Sequence, residues 1–224
     1  MRKGEECERM ITLVTGGCGS GKSEYAERLA AESGCPRRWY VATMEVYGEE
    51  GRQKVERHRR QRAGKGFRTV ECPRGLETVR IPGGPEGTAV LLECVSNLAA
   101  NEMFGGRDLP AGNKEPDGGK GPDGGKSLSR PAYEAVMAGI KALARRCGEL
   151  VIVTNEVGGD GIAYEAETME YIRLMGRINA GLAKLADRVV EVVYGIPVVL
   201  KGEADAAGAS REHTGRTAGE GDKL

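Results

Sequence analysis

Residues 11–26, ITLVTGGCGSGKSEYA, join an apolar run to a glycine-rich turn and the start of a helical pattern. Ile11 to Thr15 is apolar and β-branched, and Ser23 to Ser33 has helical spacing closed by Gly34. Between them, residues 16–23 satisfy G-x-x-x-x-G-K-[ST]. A strand, this loop and a helix in that order are the context in which the pattern binds phosphate, so the stretch predicts a P-loop.

The residue types in this loop suit phosphate chemistry. Glycines let successive backbone N–H groups turn toward phosphate oxygens, and the following helix adds its positive N-terminus. We expect Lys22 to reach the β- and γ-phosphates and the Ser23 hydroxyl to ligate Mg²⁺. The predicted nucleotide-binding residues of the loop are Gly16, Gly17, Cys18, Gly19, Ser20, Gly21, Lys22 and Ser23. A glycine-rich turn that binds nothing would not explain a lysine and a serine at these positions.

Other patterns predict the sheet around this loop. Three more runs are apolar on both faces, as strands of a parallel sheet are. They are residues 39–43, 89–92 and 150–154. The remaining patterns are helices at 133–147 and 165–186, and a closing hairpin of 189–194 and 198–200 around Gly195-Ile196-Pro197. The alternation predicts one α/β domain, a P-loop NTPase with a RecA-like, doubly wound and mostly parallel sheet.

Composition separates this domain from its surroundings. Glycine makes up 35 of 224 residues, well above the usual share of about 7%. Much of the excess lies in residues 105–126, which contain PDGGK twice and offer little to bury, so we expect a disordered surface insertion. Residues 1–10 predict a polar leader and residues 202–224 a flexible tail. The folded domain is therefore expected at 11–201.

Charge and targeting signals exclude several classes of function. Lys and Arg number 33 and Asp and Glu 33, so no net field favours nucleic acid or an anionic membrane. No apolar run approaches the roughly 18 residues of a membrane span, and the N-terminus lacks the apolar stretch of a signal peptide. We expect a cytoplasmic protein. Six cysteines without a C-x-x-C pair, and two histidines, argue against a disulfide framework or a zinc site.

Two carboxylates follow predicted strands. Glu93 comes directly after 89–92 and Glu156 shortly after 150–154. Ligands of doubly wound sheets lie beyond the carboxyl ends of the strands. Glu93 is therefore a candidate residue of the nucleotide site and a candidate Mg²⁺ ligand with Ser23, and Glu156 is a further candidate. A surface carboxylate at a strand end is the alternative for both.

A basic stretch surrounds one of the two histidines. Residues 52–68, RQKVERHRRQRAGKGFR, hold eight Lys or Arg and a single Glu. Neighbouring positive charge disfavours the imidazolium form of His58, and a neutral imidazole is a nucleophile. The arginines would also attract a triphosphate. Composition alone favours a solvated basic face, and RNA binding comes next, although aromatic residues for base stacking are missing.

Several of these motifs, in order, resemble the bifunctional adenosylcobinamide kinase and adenosylcobinamide-phosphate guanylyltransferase family of cobalamin biosynthesis. The matching segments are 14–23, 40–43, Lys54-Val55, His58-Arg59 with Arg62, 69–71, 91–96 with Asn101, 154–158 with Gly161-Ile162, 176–179, Ala186-Asp187 and 195–197. The resemblance implies phosphorylation of adenosylcobinamide by ATP or GTP with Mg²⁺, followed by transfer of GMP from GTP. It also implies a homotrimer.

The resemblance also implies roles for particular residues. It implies that His58 carries GMP as a covalent intermediate and that Lys22 acts in phosphoryl transfer. Arg59, Arg62 and Glu71 join the nucleotide-binding candidates, and Thr43 and Arg177 join Glu156 as further candidates.

The chain departs from the family pattern in places that bear on activity. These departures are Ala63, Phe67, Tyr164, Glu170 and Leu174. We expect a reshaped loop around His58 and weaker substrate or nucleotide contacts. Two alternatives therefore stay open: a kinase that has lost guanylyl transfer, and a non-enzymatic nucleotide-binding switch whose insertion at 105–126 docks a partner. The resemblance does not account for that insertion or for the tail.

Overall fold

The computed structural model of the chain describes residues 9–45, 64–105, 128–162 and 164–203. Its strands are β1 (Met10–Thr15), β2 (Arg37–Ala42), β3 (Phe67–Glu71), β4 (Thr88–Glu93), β5 (Glu149–Val153), β6 (Arg188–Val193) and β7 (Ile196–Lys201). Its α-helices are α1 (Lys22–Glu32), α2 (Val95–Phe104), α3 (Ser129–Ala144) and α4 (Ala166–Leu185), and a short 3-10 helix spans Leu76–Thr78.

The seven strands form one sheet in the order β3-β2-β4-β5-β1-β6-β7. Neighbouring strands are parallel except β6 and β7, which pair as an antiparallel hairpin. β1 lies near the centre, and the chain returns to β5 and β6 on either side of it. The predicted doubly wound, mostly parallel RecA-like sheet with a C-terminal hairpin is confirmed.

Alternate residues of the central strands pack against different helices. Leu13, Leu92 and Ile152 belong to a core with α2, α3 and α4, whereas their neighbours Val14 and Leu91 belong to a core with α1. Because successive strand residues point to opposite faces, both faces are covered by helices. The strands are therefore apolar throughout, which is why their sequences read as continuous apolar runs.

Besides the short 3-10 helix, two elements of the structure were not predicted from the sequence. β3 lies at the sheet edge and pairs with β2 alone, and its residues are exposed or half-buried. α2 begins at Val95, one residue after β4 ends, so its first turn reads as a continuation of the strand. The predicted helix at 133–147 begins earlier, at Ser129, and ends earlier, at Ala144.

The hairpin differs from the prediction in its turn. Tyr194 and Gly195 both have positive φ, 51° and 80°, and Val193 pairs with Ile196. This is a two-residue turn of the kind that suits the twist of antiparallel strands. Pro197 was expected in the turn but lies in β7, where it pairs with Val192. An edge strand tolerates proline because one of its sides needs no donor.

Some predictions fall outside the described residues. They concern the leader up to residue 8, nearly all of the insertion at 105–126, the tail from residue 204, and the segment that carries His58. Within the described part of the chain, no helix combines the length and apolarity that crossing a membrane requires.

Candidate nucleotide site

The predicted P-loop connects β1 to α1 at the carboxyl edge of the sheet. Gly16 has φ 148°, and a Cβ atom there would lie 2.5 Å from the Val192 carbonyl oxygen. Gly21 has φ 91° and approaches Gly195 of the hairpin turn, whose N–H donates to the Ser20 carbonyl at 2.8 Å. These close approaches exclude a side chain at Gly16 and hold the loop against the end of β6.

Lys22 is nearly buried, with 7% of its surface exposed. Its ammonium donates to the Gly17 carbonyl at 2.9 Å, so the side chain folds back across the loop. The acceptor is a neutral carbonyl, and Lys22 has no ion-pair partner within the described residues, so its positive charge is not compensated there. The loop is thereby prepared for an anion.

Glu93 meets the P-loop from the end of β4. Its carboxylate accepts one hydrogen bond from the Ser23 hydroxyl through Oε1 and another from the Tyr40 hydroxyl through Oε2, the latter at 2.8 Å. The structure thus brings the two predicted Mg²⁺ ligands, Ser23 and Glu93, into direct contact. Tyr40 was not predicted as a site residue, because nothing in the sequence indicates that β2 points this side chain at Glu93.

Thr43 supports the end of β4. Its hydroxyl donates to the Cys94 carbonyl at 2.7 Å and accepts from the Cys94 N–H at 2.9 Å, and its own N–H donates to the Glu93 carbonyl at 3.0 Å. Asn101 of α2 donates to the carbonyls of Thr43 and Pro73 at 2.8 and 2.9 Å. Thr43 is fully buried. It acts on the site through the backbone of β4.

Glu156 lies in the turn after β5, the strand between β1 and β4. Its side chain is exposed, whereas Thr154 and Asn155 before it are held by polar contacts. Thr154 donates to the Asn179 side chain at 2.7 Å, and Asn155 donates to the Ser96 hydroxyl at 2.7 Å. The predicted carboxylate therefore follows a segment fixed by polar contacts, at the same edge of the sheet as the P-loop, but it is not among the residues that line the cleft.

A half-buried tyrosine packs under this turn. Tyr171 of α4 donates to the Ser96 carbonyl at 3.0 Å. Burial, followed by the charge of Cys94, raises the pKa of Tyr171 to about 12. The phenol therefore stays protonated and keeps its hydrogen bond throughout the physiological range.

A cleft of about 440 Å³ opens over the P-loop. Its lining consists of Gly19, Ser20, Gly21, Lys22, Ser23, Glu24, Glu27 and Lys65. Lys65, which precedes β3, forms an ion pair with Glu27 on α1, and the Glu27 side chain is only 9% exposed. Neither residue was predicted for the site, because their contact joins chain segments 38 residues apart.

The other predicted residues lie elsewhere or outside the described part. Glu71 is exposed at the carboxyl end of β3. Arg177 is on α4, with its guanidinium 4.7 Å from the ring centre of Tyr133, so it contacts α3 and is absent from the cleft lining. His58, Arg59 and Arg62 lie outside the described residues.

The departures from the family pattern have structural roles where they are described. Leu174 is fully buried in the core, and Phe67 packs beside α1 at the start of β3. Glu170 accepts a 3.4 Å hydrogen bond from the Ser129 N–H at the start of α3. Tyr164 donates to Asp160, which raises the pKa of the tyrosine and lowers that of the aspartate. Ala63 lies outside the described residues.

Together these features define a class of protein: a P-loop NTPase whose lysine and serine face a carboxylate at the end of a neighbouring parallel strand. The comparison with protein families goes further. The chain belongs to the cobinamide kinase / cobinamide phosphate guanyltransferase family, whose profile matches residues 12–200.

Individual relatives align with this chain over almost their whole length. The bifunctional adenosylcobalamin biosynthesis protein CobU of Salmonella typhimurium is 34% identical over 195 residues, covering 86% of this chain and 100% of that protein. Its namesake from Escherichia coli is 35% identical over 196 residues, with coverage of 86% and 100%. The bifunctional protein CobP of Pseudomonas aeruginosa is 28% identical over 194 residues, covering 87% and 99%.

Proposed function

We propose that the chain phosphorylates adenosylcobinamide with ATP or GTP and then transfers GMP from GTP to adenosylcobinamide phosphate, giving adenosylcobinamide-GDP. These are the steps that assemble the nucleotide loop of cobalamin. One observation carries the proposal: in a chain of this family, the P-loop residues Lys22 and Ser23 line one cleft, and Ser23 donates a hydrogen bond to Glu93.

The kinase step uses the P-loop. Backbone N–H groups of residues 16–23 hold the phosphates of the nucleotide, and Lys22 stabilises negative charge on the γ-phosphoryl group as it moves to a hydroxyl of adenosylcobinamide. The contact of Lys22 with a carbonyl supports this role, because phosphate oxygens can replace the carbonyl as hydrogen-bond acceptors without separating an ion pair.

Ser23 and Glu93 fit a Mg²⁺ ion. A hydroxyl and a carboxylate are hard oxygen donors, and Mg²⁺ at phosphate sites takes one or two protein ligands besides phosphates and water. The ion would neutralise charge on the β- and γ-phosphates when bound. Tyr40 holds the Glu93 carboxylate on its other side, so the donor pair is oriented before any ligand arrives.

The guanylyl step rests on the family and on the basic stretch around His58. The imidazole nitrogen attacks the α-phosphorus of GTP, a P–N bond forms, and the P–O bond to pyrophosphate breaks with its electron pair leaving on pyrophosphate. Arg59, Arg62 and Glu71 contribute to nucleotide binding. Adenosylcobinamide phosphate then attacks the phosphoramidate and takes GMP, which frees His58.

Further proposals concern the domain bounds, the oligomeric state and the cellular location of the protein. The catalytic domain is proposed to span 11–201, with residues 105–126 as an insertion and residues 202–224 as a tail. A homotrimer is proposed on the family alone, and light scattering of the purified protein tests it. A cytoplasmic location is proposed because the nucleotide substrates are made there.

Labelled GTP tests the function. With the label on the α-phosphate, the purified protein should acquire acid-labile radioactivity, and adenosylcobinamide with ATP should yield its phosphate. His58→Asn should abolish the protein label, because an amide cannot form the phosphoramidate. His213→Asn, at the other histidine of the chain, is the matched control and should be labelled like the wild type.

The outcomes separate the alternatives. Phosphorylation of adenosylcobinamide without protein labelling would identify a kinase that has lost guanylyl transfer. Nucleotide binding with neither activity would identify a nucleotide-binding switch. A labelled His58→Asn protein would place the nucleophile at another residue.

A further inference from the structure

The proposed kinase step needs a group that takes the proton of the acceptor hydroxyl, and the P-loop does not supply one. Lys22 is a cation whose role is to hold phosphate. Glu93 is occupied, because both of its carboxylate oxygens accept hydrogen bonds, from Ser23 and Tyr40. Of the two carboxylates that line the cleft, Glu27 is paired with Lys65, and Glu24 is the competing candidate. Beyond the cleft lining, a further carboxylate lies at the carboxyl edge of the sheet.

Glu156 follows the strand between β1 and β4, at the same edge of the sheet as the P-loop and outside the cleft lining. β5 lies between β1 and β4, and Val153 pairs with Val14 on one side and with Glu93 on the other. The P-loop begins two residues after Val14, and Glu156 lies three residues after Val153. The side chain is exposed, and no hydrogen bond or ion pair of Glu156 is found within the described part of the chain. Its carboxylate is available to a ligand that approaches the P-loop from solvent.

The turn that carries Glu156 is held on both sides. Asn155 is fixed through its side chain by Ser96 and through its carbonyl by Asn179, at 2.7 and 3.1 Å. Val157 packs against the core, and Gly158 has φ 81° with Ile172 2.6 Å from the place of a Cβ atom. A free carboxylate held by rigid neighbours is the arrangement that proton transfer requires, because the base must stand within hydrogen-bond reach of the hydroxyl.

The segment that follows exposes two large side chains that a bulky acceptor can cover. Ile162 and Tyr164 are 58% and 40% exposed, although both are large apolar side chains. Asp160 orders them, because it accepts hydrogen bonds from the Ile162 N–H at 3.1 Å and from the Tyr164 hydroxyl. An acceptor with an extensive carbon framework would bury these side chains and bring its hydroxyl toward Glu156.

We infer that Glu156 is the general base of the kinase step; this inference rests on the proposed function. The acceptor oxygen attacks the γ-phosphorus and forms an O–P bond, while the bond from the γ-phosphorus to the β,γ-bridging oxygen breaks and its electron pair leaves on the nucleoside diphosphate. The hydroxyl proton passes to the Glu156 carboxylate and then to solvent. The guanylyl step at the α-phosphorus involves no alcohol, so Glu156 has no proton to accept there.

The experiment compares Glu156→Gln with the wild type in two assays. Phosphorylation of adenosylcobinamide should lose about 10²-fold or more in kcat, with the acceptor KM changed by less than about threefold, since glutamine keeps the size and polarity of the site but cannot take a proton. Labelling of the protein by α-labelled GTP, without acceptor, should fall far less. Glu134→Gln is the control, because Glu134 is an exposed carboxylate on α3 that pairs only with Arg130 among the described residues.

Three results would overturn the inference. A kcat within about threefold of wild type would show that no proton passes to Glu156. Parallel loss of kinase activity and labelling, with a lower melting temperature, would show a structural role. Recovery of kinase activity at raised Mg²⁺ concentration would make Glu156 a metal ligand. Failure of the proposed function is distinct, because the wild type itself would then lack the kinase activity.

Discussion

The hydroxyl of Ser23, in the first turn of α1, donates a hydrogen bond to the carboxylate of Glu93, at the end of β4. The two residues are 70 positions apart in the chain, and the contact joins the P-loop to the strand that lies two places away in the sheet. Tyr40 binds the second oxygen of the same carboxylate at 2.8 Å. The acidic group is therefore positioned by two elements, α1 and β2, before a nucleotide binds.

Replacement of Glu93 tests this arrangement. Glu93→Gln keeps the shape of the side chain but removes its charge, so phosphoryl transfer should fall by about 10²-fold and the Mg²⁺ requirement should rise. Tyr40→Phe is the matched comparison, because it removes one hydrogen bond and leaves the carboxylate; activity should fall less than about tenfold. Steady-state kinase assays across a Mg²⁺ series measure both. An unchanged Mg²⁺ requirement in Glu93→Gln would contradict the assignment.

Removal of the positive charge of Lys22 should reduce phosphoryl transfer at least as much as Glu93→Gln does. Lys22→Ala removes the charge that stabilises the γ-phosphoryl group, and the kinase rate should fall at least about 10²-fold. The fold should remain, because within the described part of the chain the lysine makes one hydrogen bond, to Gly17, and belongs to neither hydrophobic core. Circular dichroism checks folding, and Lys141→Ala, at an exposed position of α3, is the control. Near-wild-type turnover in a folded Lys22→Ala protein would refute the role.

The P-loop and the central strands could be predicted from the sequence because their signals are local. Eight consecutive residues carry the phosphate chemistry, and strands covered on both faces are continuously apolar. β3 could not be predicted in the same way, because an edge strand such as Phe67–Glu71 keeps exposed residues and lacks the apolar run.

Contacts between distant segments of the chain limit how much of the site can be predicted from the sequence. Glu93 was predictable because it ends an apolar strand. Its partner Tyr40, and the Glu27 and Lys65 pair in the cleft wall, depend on how β2, α1 and the start of β3 come together. Their sequences carry no motif that reveals this. The same reason explains why Arg177 was a candidate although it stacks on Tyr133.

Cysteine modification offers a probe of the P-loop. Cys18 is exposed in the loop, whereas Cys147 is 1% exposed and burial raises the pKa of its thiol to about 12. Iodoacetamide should modify Cys18 readily in a Cys7→Ser background, and MgATP should slow this about tenfold by covering the loop, while Cys147 stays unmodified in the folded protein. Peptide mass spectrometry measures each site. Equal Cys18 rates with and without nucleotide would contradict binding there.

The insertion should be dispensable for the kinase. Deletion of residues 106–125 leaves a short link between Gly105, after α2, and Ser129, where α3 begins. Because the deleted sequence offers almost no apolar side chain to a core, the melting temperature should stay within a few degrees and kinase activity within about twofold. A steep drop in either would mean that the insertion packs on the domain or completes the site.

The stability of the protein in alkaline solution should depend on Tyr171. Burial raises its pKa from 10.0 to about 12, so between these pH values the unfolded chain releases a proton that the folded chain retains. The free energy of unfolding must therefore fall as pH rises through this window, and the stabilising contribution is fully present only below pH 10. Cys147, whose pKa burial raises from 9.0 to about 12, acts in the same direction and is common to wild type and variant.

The Tyr171→Phe variant separates the contribution of Tyr171 to the pH dependence of stability from that of Cys147. At pH 8 the variant should be about 1 kcal/mol less stable, since it loses the hydrogen bond to the Ser96 carbonyl. As pH rises from 10 toward 12 this difference should shrink by about 1 to 2 kcal/mol, because phenylalanine has no proton to lose. Urea unfolding across this range measures the difference, with Tyr194→Phe as the control, since Tyr194 is 93% exposed. A difference that stays constant or widens above pH 10 would show that burial does not protect the Tyr171 proton.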